Sequence, residues 1–379
     1  MQNTVAELRS VALSFPTIRR TNNYWLQEHP DLVDNAEQEA LARLWKASEA
    51  RNDSAFGRTM APYARDPFRG AVERRWRAPG ETALRMEADA ARKALRAAGC
   101  TAEDLDQVIV TSLRGDRFLV GNAALLAAEL GITCPCFNYE SACAGGVLGM
   151  QLADTFIRAG QARRVLVVVS TSNSQQVDID DTTCWFLGDG AAAMVFEASD
   201  QGVVAGFSVP STMTNDMFVM HLTRRGEQPV LRTKTSPEAA RMAKEAGEHY
   251  LHAAVHGALE RAGLSVSDID HWCLHAPSAW YPDFCAESLG IPAGRYNNEY
   301  HRYANTGAAS VPSTLYHALH SGQLAPGALA GLFAIGSTSS AAALVLRVGD
   351  VALGPYPAPP AQPDADLHAQ SSGESHVTG

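Results

Sequence analysis

Residues 91–111 read ARKALRAAGCTAEDLDQVIVT, and residues 255–275 read VHGALERAGLSVSDIDHWCLH. A shift of 164 lays Ala94 on Ala258, Leu95 on Leu259, Ala98 on Ala262, Gly99 on Gly263, Asp104 on Asp268 and Asp106 on Asp270. Both copies give the chain the same physical instruction. An Ala-rich helix stops at a glycine, the residue that takes the left-handed conformation closing a helix. A short acidic turn follows, then an apolar strand. A second pair lies downstream, starting CAGGVLGMQLADTF at Cys143 and NTGAASVPSTLYHA at Asn305. Here a shift of 162 lays Cys143 on Asn305, Gly145 on Gly307 and Gly160 on Gly322. Each of these helices feeds an apolar strand, VLVVVS or LFAIGS, and each half closes with another, AAAMVFE (191–197) or AAALVLRV (341–348). The pattern predicts an α/β fold with a duplicated core, its apolar strands covered by helices on both faces. Pro312, eight residues into the second helix, predicts an irregular start or a kink there.

Outward from the repeats, residues 1–200 form an N-terminal half carrying an insertion at about 24–68, and residues 201–353 form a C-terminal half. Residues 5–15 suit a first strand. Residues 32–47 place Val33, Ala36, Ala40, Leu41, Leu44 and Trp45 on one helical stripe, with Asp34 or Asn35 as its cap, suited to a lid or wall. The segment 354–379 holds five prolines and a Ser/Gly run and reads as a disordered tail. The whole chain has 379 residues, 46% of them apolar, enough to bury a core. Its net charge of −10 argues against a nucleic-acid coat, which needs a basic field. No run approaches a membrane span, and the start lacks the basic and apolar regions of a secretory signal. Seven scattered cysteines, an odd number, point to a reducing cytoplasm. Cys134-Pro135-Cys136 has no second ligand pair at matching spacing, so no metal is expected.

A duplicated fold places its site where the copies meet, which draws attention to Cys143 and Asn305. Each begins a helix among small residues, SACAGG and ANTGAAS, that let a substrate approach the backbone. A cysteine at a helix N-terminus feels orphan N–H groups and the positive end of the dipole, which predicts a lowered thiol pKa and a nucleophile. His275 ends the strand of the second repeat and points to the crevice at the strand ends. Asn305 is either a helix cap or an amide donor to a carbonyl oxygen. Together they form a Cys-His-Asn set.

With these residues in place, the chain resembles the thiolase superfamily, most closely its β-ketoacyl-acyl-carrier-protein synthase III branch. The matching stretches are RGAVERRWRAPGETA (69–83), ESACAGG around Cys143, LGDGAAAMVF (187–196), His275 after its strand, and YANTGAASVPSTL (303–315). The resemblance implies a thiolase-like core layered α-β-α-β-α, and a homodimer with sheets paired across the interface. It implies that Cys143 takes an acyl group from a thioester of coenzyme A or acyl carrier protein, with no permanently bound cofactor. His275 and Asn305 would stabilise the enolate formed as a malonyl-type extender loses carbon dioxide. The Cys143 N–H and one near Gly336-Ser337 would form an oxyanion hole. Phe118, Leu119, Trp185, Phe186, Ser278 and Trp280 are candidates to contact substrate, with core packing the alternative for Trp185 and Phe186. Arg69, Arg74, Arg75 and Arg77 are the candidate basic patch for an acidic carrier protein.

The departures are informative. The family follows its histidine with Gln-Ala-Asn and a basic residue, whereas this chain has Ala276-Pro277-Ser278-Ala279-Trp280. The late Gly-rich loop, with Thr-Trp in the family, is Gly336-Ser337-Thr338-Ser339-Ser340. Where hydroxymethylglutaryl synthases carry a glutamate base, this chain has Phe118-Leu119-Val120, which disfavours that branch. These differences and the insertion point to polyketide or other specialised metabolism. Two other readings stay open: transfer of the acyl group to a hydroxyl or amine with His275 as base, and a non-catalytic partner subunit, against which the intact Cys-His-Asn set argues.

Overall fold

The computed structural model describes residues 4–38, 42, 53–117, 120–336 and 339–360. Two mixed sheets form its centre. The first runs in the order Ala352–Leu353, Val5–Ser14, Gly190–Ser199, Arg164–Thr171, Gln107–Leu113 and Cys136–Asn138. The second runs His271–Leu274, Leu329–Ile335, Ser340–Arg347 and Val203–Pro210. Duplication is visible in the pairing. In each sheet a parallel pair is followed by two antiparallel ones: Gln107–Leu113 with Arg164–Thr171, then Gly190–Ser199, then Val5–Ser14. The second sheet repeats that order from His271–Leu274 to Val203–Pro210.

The strands read as apolar runs because both their faces are covered. Val165, Val167 and Val169 face inward to the helices Gly145–Arg158 and Ser310–His320, which lie between the sheets. Leu166 and Val168, one residue out of phase, face the outer helix Ala83–Ala97. The helices Ala239–Ala262 and Tyr281–Leu289 cover the outer face of the second sheet, packing on Trp272 and Phe333. The result is the five-layered α-β-α-β-α thiolase-like fold.

Repeat-equivalent residues share unusual backbone. Gly99 and Gly263 are left-handed at φ 67° and 68°. Thr101–Asp104 and Ser265–Asp268 each close a capping box after those glycines. Ala142 and Ala304, one residue before Cys143 and Asn305, have φ of 47° and 54°. The helix containing Pro312 begins at Ser310 after a 3-10 turn over Gly307–Ala309, so the irregularity lies at its start. Pro312 falls in the first turn, where its missing N–H costs nothing.

The antiparallel pair of Ile18–Thr21 with Glu73–Trp76 brackets the expected insertion. Inside it, one expectation needs correction. The helix there runs Pro30–Asp34, and Asn35 ends it rather than capping the start of a longer one. Pro30 fixes that start, because a proline in the first turn needs no acceptor. Val33 and Ala36 are buried as the stripe required, while residues 39–41 and 43–47 lie outside the described set, as do residues 361–379 of the expected tail. A hairpin, Phe218–Arg225 with Gln228–Thr235, lies beside the cavity described next. No helix among the described residues is long and apolar enough to cross a membrane.

Candidate active site

A cavity of about 520 Å³ opens where the two halves meet, and Cys143, His275 and Asn305 all line it. Cys143 sits in the 3-10 turn Ala142–Ala144 that leads into Gly145–Arg158. His275 follows the strand His271–Leu274, and its N–H donates to Phe333 O at 2.9 Å. Asn305 is gripped by its backbone: its N–H donates to Phe186 O at 2.9 Å and its carbonyl accepts from Gly188 N at 3.0 Å. The Gly188-Asp189-Gly190 motif therefore positions Asn305. Asp189, fully buried, is anchored in turn by the N–H groups of Arg77, Asn173 and Ser174.

The side chains form a chain of contacts. His275 Nε2 lies 3.1 Å from Asn305 Oδ1, which also accepts the Gly307 N–H at 2.8 Å. With its oxygen so engaged, Asn305 turns its Nδ2 donor toward Cys143 Sγ, 4.0 Å away. Asn305 is thus an amide donor aimed into the cavity, and its side chain caps nothing but the local Gly307 turn. Burial pulls the His275 imidazole down to about 4, only partly offset by Asn305. Burial likewise pushes the Cys143 thiol up to about 11, against the pull of Asn305 and the Arg114 guanidinium. The expected lowering at a helix end is overturned: loss of hydration outweighs the field of a turn whose regular helix starts two residues later. Burial thus favours the neutral form of both Cys143 and His275, each of which meets Asn305.

The other sequence candidates divide. Phe186, Ser278 and Trp280 line the cavity. Ser278 Oγ and His275 Nδ1 are buried without a partner among the described residues. Trp185 does not reach the cavity; it packs against Trp25 and Phe68, with ring centroids 6.3 and 4.6 Å away. Gly336 N donates to Ser340 O at 2.7 Å, so this N–H is already committed and does not serve as the second oxyanion donor. Ser337, Phe118 and Leu119 lie outside the described residues.

The arginine patch is a correction. Arg69, Arg74, Arg75 and Arg77 are at most 8% exposed. Arg69 Nη1 donates to Ala64 O, Arg74 Nε donates to Trp185 O, and the Arg74 guanidinium lies 4.6 Å over the Trp25 ring. Arg75 reaches Pro16 O, and Arg77 pairs with Asp116 at 3.3 Å. Arg69, Arg74 and Arg75 are spent on backbone carbonyls and Arg77 on a carboxylate, so these buried guanidiniums present no surface to a carrier protein. The residue missed from the sequence is Arg114, which lines the cavity with Asn173 and Met220. Its one sequence signal is a lone arginine before Gly115, directly after a buried strand.

Comparison with known proteins places this geometry. Residues 137–212 match the family model of 3-oxoacyl-[acyl-carrier-protein (ACP)] synthase III, and residues 259–348 match the model of that enzyme's C-terminal part. The β-ketoacyl-[acyl-carrier-protein] synthase III of Roseobacter denitrificans is 36% identical over 290 residues, covering 74% of this chain and 88% of the relative. That of Rhizorhabdus wittichii is 32% identical over 282 residues, covering 71% and 85%. Among solved structures, 3-oxoacyl-(acyl carrier protein) synthase III of Pseudomonas aeruginosa is similar at a TM-score of 0.70 and 22% identity, covering 91% of this chain and 98% of that one. OleA of Xanthomonas campestris is similar at 0.72 and 21%, covering 92% and 99%.

Proposed function

The chain belongs to the 3-oxoacyl-[acyl-carrier-protein] synthase III family of the thiolase superfamily, and on that premise we propose that it loads an acyl group onto Cys143 and condenses it decarboxylatively with a malonyl-type thioester. The observation that carries this reading is the contact chain His275 Nε2, Asn305 Oδ1 and Asn305 Nδ2 to Cys143 Sγ, within one cavity. In the loading step Cys143 Sγ bonds to the thioester carbonyl carbon, the bond to the donor sulfur breaks, and the thiol proton leaves with the donor thiol. The extender carbonyl then lodges between His275 and Asn305. Asn305 Nδ2 is a neutral donor aimed at the oxygen that becomes an enolate as carbon dioxide departs, and the His275 Nε2–H would turn to that oxygen from Asn305 Oδ1, which it meets in the empty cavity. The resulting carbanion attacks the acyl-cysteine carbonyl and expels Cys143.

The rival reading, transfer to a hydroxyl or amine, asks His275 to take a proton. An imidazole that burial pulls down to about 4 is a poor base at neutral pH, which supports condensation over transfer. Ser278 Oγ, buried and unpartnered at the cavity wall, offers a hydrogen bond to the amide-bearing arm of the donor in place of the family's amide. That replacement and the insertion, whose Phe56 forms part of the cavity wall, support a place in polyketide-type or other specialised metabolism. Coenzyme A or acyl carrier protein would carry the acyl group, with two copies of this chain forming the working enzyme.

The test is to incubate the protein with a panel of acyl thioesters and weigh it intact. An acyl adduct is expected that Cys143→Ala abolishes. Adding malonyl thioester should release carbon dioxide, and His275→Ala or Asn305→Ala should slow that release by about 100-fold while loading persists. Condensation at wild-type rate in those variants would overturn the assigned roles.

A further inference from the structure

Arg114 stands out within the cavity. Its neighbours Leu113, Phe186, Met217 and Met220 make that wall largely apolar. Its backbone is left-handed, at φ 62°, a conformation strained for a non-glycine residue. The strained residue follows the strand Gln107–Leu113 directly and turns the side chain into the cavity. Nη1 donates to Asn173 Oδ1 at 2.7 Å, and Nη2 touches the Met220 sulfur. Among the described residues no carboxylate comes within ion-pair distance of the guanidinium. Asp189 and Asp181, which act on it from further away, are occupied: Asp189 by Arg77, Asn173 and Ser174, and Asp181 by the N–H groups of Thr183 and Thr233. Burial lowers the guanidinium to about 10, with Asp189 opposing, so it stays cationic at neutral pH.

Arg114 is half-buried, and a guanidinium partly withdrawn from water with no anion beside it gains from an incoming carboxylate through charge-assisted, bidentate hydrogen bonds. We infer that the acyl group loaded on Cys143 ends in a carboxylate held by Arg114, so that the donor is the half-thioester of a dicarboxylic acid. The inference rests on Cys143 as the acyl carrier. In the loading step the Cys143 Sγ–acyl bond replaces the donor thioester bond, the donor leaves as its thiol, and the distal carboxylate is unchanged. The carboxylate in question is one that stays. A guanidinium on the extender's carboxylate would stabilise the charge that decarboxylation must remove, and Arg114 follows a strand of the six-stranded sheet, whereas His275 follows one of the other sheet.

The experiment compares loading rates, by intact mass, for succinyl-, glutaryl- and adipyl-coenzyme A against uncharged acyl-coenzyme A donors of equal chain length. At least one carboxyacyl donor should load about tenfold or more faster than its neutral counterpart, the value of one charged hydrogen bond. Arg114→Met should erase or invert that ratio, and Arg114→Lys should keep part of it. Equal or faster loading of the neutral donors by the wild-type protein would overturn the inference without needing any variant to fold. An unchanged ratio in Arg114→Met would overturn it as well. Those outcomes leave Cys143 as the acyl carrier intact, whereas no adduct from any donor would overturn both.

Discussion

Cys143 and His275 are each held away from their charged form, and this has a measurable consequence. A thiol raised to about 11 offers less than one part in a thousand of thiolate at neutral pH. Alkylation of Cys143 by iodoacetamide should therefore rise about tenfold per pH unit from pH 7 to 9, with no plateau below pH 10. A plateau near pH 7 would reveal a thiolate paired with a charged His275 and would refute the neutral pair. The identity of the three polar residues was legible in the sequence because the repeat placed Cys143 and Asn305 in register and put His275 at a strand end. Their electrostatics were not, because the depth of a cavity is set by distant segments such as Phe218–Arg225 and Gln228–Thr235, whose Val219, Met220 and Thr233 line it. The arginine cluster failed for a related reason. Four arginines within nine residues look like a solvated basic face. Trp25, Phe68 and Trp185, remote in sequence from one another, close over this region and turn the guanidiniums toward carbonyls.

At the scale of elements, the glycines that end helices are legible in the sequence because their demand is local. Gly263 closes Ala239–Ala262 at φ 68°, with open space where a Cβ would stand. Gly263→Ala should thus cost only the left-handed strain, about 1 kcal/mol in a denaturation midpoint, and leave turnover unaltered. Gly307 differs. It has φ 55°, and a Cβ there would collide with Thr171 Oγ1 on a central strand. Gly307→Ala should destabilise more and displace the amide side chain of Asn305, which accepts the Gly307 N–H. Measuring stability and condensation side by side checks this: equal effects of the two substitutions would contradict it. The broken helix at 30–38 was less legible than the glycine stops. A hydrophobic stripe reports which residues face the core, as Val33 and Ala36 do, but does not report where the chain bends.

For the whole molecule, the repeat pattern points to a duplicated core but not to the sheet edge that is left open. The six-stranded sheet ends at Cys136–Asn138, which pairs on one side only, with Gln107–Leu113. An unpaired edge invites another strand. Near it, Phe137 is 37% exposed and Val120 62% exposed, both large apolar side chains open to solvent in the isolated chain. Antiparallel pairing of this edge with its copy would extend the sheet across a two-fold axis and cover Phe137 in both protomers. The expected mass in solution is therefore twice 40.5 kDa. Phe137→Asp, which places like charges opposite or near each other across that axis, should move the equilibrium toward 40.5 kDa in sedimentation at micromolar concentration. Because the cavity lies at the mouth of the strand Gln107–Leu113, which pairs with this edge, the monomeric variant should also load acyl groups more slowly. A Phe137→Asp protein that remains dimeric would place the interface elsewhere, and a monomeric wild-type protein would remove the edge from the working enzyme altogether.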